Sequence, residues 1–188
     1  MFSFHPARRR SFVAVLAAFA VLATLSIASR AGAGEGYSLH VQIAERGKGR
    51  GIDVAMPWAV ARGGSPFDFV SDSDDRVEFR RLRAAWTMLA RMPEGRSVLI
   101  HSDNGRTRAY RQNGRLVLEP LDRGGDRDAR ILVPSPVVEA LMRRDGRLNS
   151  ADVDALLRRH GEIGLVEVES EDGHVKVWID RDPDSGLD

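Results

Sequence analysis

Two alternating runs flank Asp172-Gly173 in the stretch 165–180. Val166 and Val168 alternate with Glu167 and Glu169, and Val175, Val177 and Ile179 alternate with Lys176, Trp178 and Asp180. Successive side chains of a strand point to opposite faces, so one face of this segment is apolar and the other charged. An Asp-Gly pair between such runs predicts a β-hairpin with a type I′ turn, which needs positive φ at both central residues. A lone hairpin is marginal in water. The rest of the chain must therefore supply a cover for the apolar face.

The preceding residues divide into similar pieces. Leu39, Val41 and Ile43 alternate with His40 and Gln42, which predicts a strand over 38–44. A glycine-rich turn over 46–51 leads to a second strand, 52–56, ended by Pro57. Ser73 or Asp74 caps a helix running to about Arg91, with Phe79, Leu82, Trp86 and Leu89 as its buried stripe. Residues 97–102 and 106–112 flank Asp103-Asn104-Gly105 as another hairpin. Further on, strands are predicted around Leu116, Leu118 and Glu119, and over 129–133 before Pro134. Ser135-Pro136 reads as an N-cap followed by proline at the first helical position. Val137, Val138, Leu141 and Met142 follow at helical spacing, and Asp145-Gly146 closes that helix. Asn149-Ser-Ala-Asp152 caps a last helix carrying Val153, Leu156 and Leu157 and ending at Gly161.

Two constant offsets link the halves. An offset of 77 carries Leu39 to Leu116, Val41 to Leu118, Val54 to Ile131, Met56 to Val133 and Pro57 to Pro134. An offset of 68 carries Leu89 to Leu157, Val98 to Val166, Ile100 to Val168, Gly105 to Gly173 and Tyr110 to Trp178. Self-similarity at fixed spacing is the mark of an internal repeat. The expected fold class is therefore α+β. Two tandem β-β-α-β-β units are expected, at 38–112 and 115–180, each an antiparallel sheet with helices on one face, followed by a polar tail at 181–188.

The second unit carries a further signal. Ile131-Leu-Val-Pro134, the run 137–142, Leu148-Asn-Ser-Ala-Asp152 and the hairpin at 165–180 together resemble the small module at the N-terminus of the YvlB and LiaX type of bacterial cell-envelope stress proteins. The resemblance covers about 116–180, with a degenerate copy at 38–112. It implies an envelope-associated, non-enzymatic module, and no catalytic residues travel with it. The β-repeat region that accompanies the module in those proteins has no counterpart here.

Residues 1–33 read as a signal peptide. Arg8, Arg9 and Arg10 form a basic start, 12–28 is an apolar run, and Ala31-Gly32-Ala33 is a small-residue site that places the cut between Ala33 and Gly34. Arg9-Arg10-Ser11-Phe12-Val13 also resembles the twin-arginine export signal. Either export route implies a periplasmic or secreted protein. If the leader stays uncleaved, 12–28 is the chain's contact with the membrane. The chain holds no cysteine, so neither disulfides nor a lipid-anchored leader are available. With four leader arginines removed, 24 basic residues face 27 acidic ones, a formal charge of −3. That balance gives no electrostatic reason to expect nucleic acid.

Several groupings of chemistry-bearing residues are weak on inspection. His101-Ser102-Asp103 holds base, nucleophile and carboxylate types, but adjacent strand residues face opposite ways and cannot form a relay. His40 and His101, with Asp53, meet a metal only if their strands are neighbours. Asp68, Asp72, Asp74 and Asp75 lack the glycine and terminal glutamate of a helix–loop–helix calcium site. Gly47, Gly49 and Gly51 join two strands rather than open onto a helix, as a phosphate cradle requires. No metal or other cofactor is expected.

Trp178, Tyr110, Lys176, Arg108 and Leu99 fall on the sheet face opposite the helices. Aromatics among alternating charges there form either a partner-binding surface or the seam between the two units. The expected role is an exported, non-enzymatic interaction or structural module of the cell envelope, with an envelope protein or a second copy as partner. The alternatives are a small exported hydrolase using His101 and Asp103, or a membrane-tethered accessory of envelope stress.

Overall fold

A computed structural model describes residues 36–46, 51–62, 67–68, 73–102, 105–121 and 129–181. The leader, the polar tail and the residues Asp103 and Asn104 lie outside these, as do Asp72 and most of the glycine-rich turn. The side chains of Asp68, Asp74 and Asp75 are also outside the described set.

In chain order the elements are β1 (Tyr37–Glu45), β2 (Gly51–Pro57), α1 (Trp58–Ala61), β3 (Phe67–Asp68), α2 (Ser73–Leu89), β4 (Ser97–Ser102), β5 (Gly105–Gln112), β6 (Arg115–Leu121), β7 (Ala129–Pro134), α3 (Ser135–Arg143), β8 (Arg147–Leu148), α4 (Ser150–His160), β9 (Ile163–Ser170) and β10 (Gly173–Arg181). Eight strands form one antiparallel sheet in the order β2-β1-β10-β9-β7-β6-β5-β4, and β3 pairs with β8 beside it.

This arrangement overturns the expectation of two tandem units with a sheet each. The first hairpin pairs not with β4 and β5 but with the last strand: Leu39 lies opposite Ile179 and Val41 opposite Val177. The cause is a turn that the sequence reading placed at a unit boundary. Asn113 and Gly114 take φ of 51° and 70°, the positive values of a two-residue I′ hairpin. They fold β6 directly onto β5, with Arg111 opposite Leu116. The outer edge of β5 is thereby consumed, and β1 is left to pair with β10.

The opening hairpin is present, but its turn differs from expectation. No positive φ occurs at Asp172 or Gly173, so the I′ geometry is absent. Glu171 and Asp172 bridge the strands, and the Ser170 hydroxyl donates to the Gly173 carbonyl and accepts from its N–H. Glycine is needed at 173 for another reason. A Cβ there would lie 2.3 Å from the Ala44 carbonyl oxygen of β1.

Helices cover one face. Two adjoining cores form there, one around Leu39, Trp58, Leu157 and Ile179, the other around Trp86, Leu89, Ala109 and Leu116. Helix α3 serves both: Val137, Ala140 and Leu141 enter the first, while Val138 and Met142 enter the second. The stripe expected on α2 is in place, with Trp86 and Leu89 buried and Phe79 and Leu82 packed beside them. Helix α4 starts in a capping box: the Asn149 side chain accepts from the Asp152 N–H while Asp152 accepts from the Asn149 N–H. Ser135 is not the cap expected of it. It is the first helical residue after Pro134, and no side-chain cap bond is made there.

Candidate functional site

The other sheet face carries no described helix. Alternation alone selects its side chains: His40, Gln42, Tyr110, Val117, Glu119, Arg130, Glu167, Lys176 and Trp178 have the opposite parity to the core-facing residues. Val117 is fully buried yet belongs to neither helix-side core, being flanked in register by Tyr110 and Leu132. Two clusters occupy this face.

The first lies where β1 meets β10. His40 stands opposite Trp178, and their rings stack with centroids 4.9 Å apart and planes 10° from parallel. The Lys176 ammonium lies 4.8 Å from the Trp178 ring centroid. The Trp178 indole N–H donates to Asp180 Oδ2 at 2.9 Å, and His40 Nε2 lies 2.8 Å from Asp180 Oδ1. On its other side Trp178 opposes Gly164, which presents no side chain. Stacking, cation–π attraction and the hydrogen bond together hold the indole in one orientation.

The second cluster is a row of alternating charge across four neighbouring strands. Arg108 stands opposite Glu119, and Arg130 opposite Glu169. Glu119 is 1% exposed. A buried carboxylate is tolerated only with hydrogen-bonding or charged partners. Here the Tyr110 hydroxyl donates to Glu119 Oε1 at 2.7 Å, Arg130 Nε lies 3.4 Å from the same oxygen, and Arg108 Nη1 lies 4.0 Å from Oε2. Arg130 also donates to the Tyr110 hydroxyl and to Gln112, and pairs with Glu169 at 3.3 Å. Burial, reinforced by the bond to Glu119, raises the Tyr110 pKa. The bond to Tyr110 raises that of Arg130. Next to this row, Glu167 takes Arg115 at 2.7 Å and His174 at 2.9 Å. Burial pushes the Glu167 pKa upward, but the hydrogen bond from His174 and the Arg115 charge outweigh it, and the net shift is downward.

The proposed partner residues thus share a face but not a patch. Trp178 and Lys176 belong to the first cluster, Tyr110 and Arg108 to the second, and β10 and β5 are four strand spacings apart, roughly 19 Å along the sheet. Leu99 lies on the outermost strand, 45% exposed. The two units, 38–112 and 115–180, meet where β1 pairs with β10 and β5 with β6, and Trp178, stacked on His40, and Tyr110, bonded to Glu119, lie on those two joints, as the seam alternative expects. Sequence reasoning missed Glu119 and Arg130, since alternation assigns a face and says nothing of burial. It treated His40 as a stray metal candidate, although its position opposite Trp178 follows once β1 is placed beside β10.

The other groupings come apart. His40 and His101 do not sit on neighbouring strands: β1 and β4 are six spacings apart, roughly 29 Å along the sheet, while Asp53 lies next to Gln42 on β2. Among the described residues no group of three or more histidine, aspartate or glutamate side chains is placed to hold a metal. His101 and Ser102 are consecutive on β4 and face opposite ways, with the Ser102 hydroxyl donating to the Gly105 carbonyl. No helix among the described residues is long and apolar enough to cross a membrane. Compared with known protein families, with curated proteins and with solved structures, the chain matches none of them.

Proposed function

We propose that this chain is an exported, non-enzymatic interaction or structural protein of the cell envelope that engages its partner through the helix-free face of the sheet. The observation that carries this reading is the Trp178 cluster. An indole held by His40, Lys176 and Asp180 before any partner arrives loses little side-chain freedom on binding, and that is what an interface anchor requires. The Glu119 network supports the same role, because it locks a charged surface whose pattern of signs can select a partner. The leader-like residues 1–33 support export, and the resemblance of 116–180 to an envelope-stress module supports the compartment.

The test is a pull-down from an envelope fraction with the wild-type protein and with Trp178→Ala. Loss of the captured partner with an unchanged unfolding midpoint supports the reading. A partner retained by a variant that unfolds more easily makes the indole a packing residue and overturns it. The N-terminus of the mature protein is expected at Gly34, and recovery of the full leader in a membrane fraction would favour the tethered form.

A further inference from the structure

The outermost strands β2 and β4 each match, in register, a strand that is paired elsewhere. At the sheet centre β7 lies against β9, with Ile131 opposite Val168 and Arg130 opposite Glu169. The offset of 77 carries β2 onto β7, and the offset of 68 carries β4 onto β9. The backbone obeys both offsets. Val54 faces Val41 as Ile131 faces Leu118, and Ile100 faces Thr107 as Val168 faces Val175. The irregularity in the β9–β10 pairing falls at Val177/Trp178 of β10, opposite Gly164 and Val166 and outside the stretch 167–170 of β9 that meets β7. In an antiparallel ladder, inward and outward backbone groups alternate along a strand. Matching inner registers therefore leave outward N–H and C=O groups at matching residues. The outer edge of β2 is the edge that β7 offers to β9, and the outer edge of β4 is the edge that β9 offers to β7.

We propose that β4 of one copy pairs antiparallel with β2 of a second copy, continuing the sheet head to tail. The central register, transferred to this joint, sets Val54 against Ile100 on the helix side, and Asp53 against His101 and Ala55 against Leu99 on the open side. Asp53 and His101 reproduce the charge pair Arg130–Glu169 with its signs exchanged when the imidazole is protonated. Ile52, 55% exposed, and Leu99 stand on these two edges and lose exposure in the joint. Edge strands that must stay single carry lysine, proline or bulges. β4 contains no lysine, arginine or proline, and in β2 the single proline, Pro57, closes the strand outside the stretch 52–55 that the transferred register sets against β4. The joint also has a consequence for the open face. Ala55 is the neighbour of His40, and Leu99 the neighbour of Arg108, so the aromatic cluster of one copy runs into the charged row of the next.

Because the chain has no cysteine, single thiols can be placed at will. Ala55→Cys and Leu99→Cys variants, mixed in equal amounts and treated with a short bifunctional thiol cross-linker, are expected to yield a 55–99 heterodimer, while each variant alone stays uncross-linked. Val54→Cys mixed with Leu99→Cys, which puts the thiols on opposite faces, is expected to give none. Sedimentation of the wild-type protein is expected to show mass rising with concentration, and the Ala55→Lys/Leu99→Lys double variant is expected to remain monomeric. A wild-type protein monomeric at every concentration, or cross-links only of 55 to 55 or 99 to 99, would overturn the proposal.

Discussion

Gly173 is where β1 passes closest to the last hairpin, and its missing side chain is a matter of space rather than of turn geometry. A Cβ at 2.3 Å from a backbone oxygen cannot be relieved by rotating a side chain, so the strands must part. Gly173→Ala is expected to cost more than about 1 kcal/mol, read from the urea midpoint. Glu119→Gln keeps the shape but removes the charge that Arg108 and Arg130 face, and leaves the Tyr110 hydroxyl with an altered partner. A loss of about 1–3 kcal/mol is expected in the same assay. Glu167 makes the pH dependence testable. Its folded pKa lies below the ordinary 4.5, so its contribution is present above that pH and fades as pH falls through the lowered value. Between pH 5 and pH 3 the wild-type melting temperature is expected to fall more steeply than that of Glu167→Gln. Parallel curves would show that the His174 and Arg115 contacts contribute nothing to stability.

Among the elements, α4 is the one whose start is specified most completely. Asn149 and Asp152 satisfy each other's backbone N–H groups, and Val153, Leu156 and Leu157 then fall on one buried side. Asn149→Ala is expected to destabilise the protein by about 1 kcal/mol, seen as a lower thermal midpoint with little change in far-ultraviolet dichroism. Helix α1 is the contrast. It has only four residues, and burial of Trp58 with its indole N–H on Asp154 at 2.6 Å ties it to α4. Tertiary contact stabilises α1, because a single turn is too short to form alone.

At the scale of the molecule, hairpin exchange makes the two halves dependent on each other. A chain ending at Gln112 keeps β1, β2, β4 and β5 but loses β10 and β6, the strands against which both hairpins pair. It also loses α3, whose residues belong to both cores. Such a fragment is expected to show no cooperative unfolding transition by calorimetry, whereas the intact chain is expected to unfold in a single one. A fragment that melts cooperatively would mean that the hairpins can pair within one half.

Legibility in the sequence followed the range of the interaction. Alternation placed nearly every strand, and apolar spacing placed α2, α3 and α4, since both patterns record which side of an element meets water. The face occupied by Trp178, Tyr110, Lys176 and Arg108 followed from the same parity. What alternation could not convey was the identity of the neighbour. Leu39 and Leu116 present equivalent edges, as do the strands of Tyr110 and Trp178, so local pattern allows β1 to lie beside either β5 or β10. The choice was made by Asn113-Gly114, two residues whose positive φ values fold β6 onto β5 and leave β10 for β1. Asn-Gly is a strong hairpin signal in its own right, and here it falls between the expected units 38–112 and 115–180. The burial of Glu119 and the stacking of His40 on Trp178 had no signal at all along the chain, because each depends on strands brought together across the sheet.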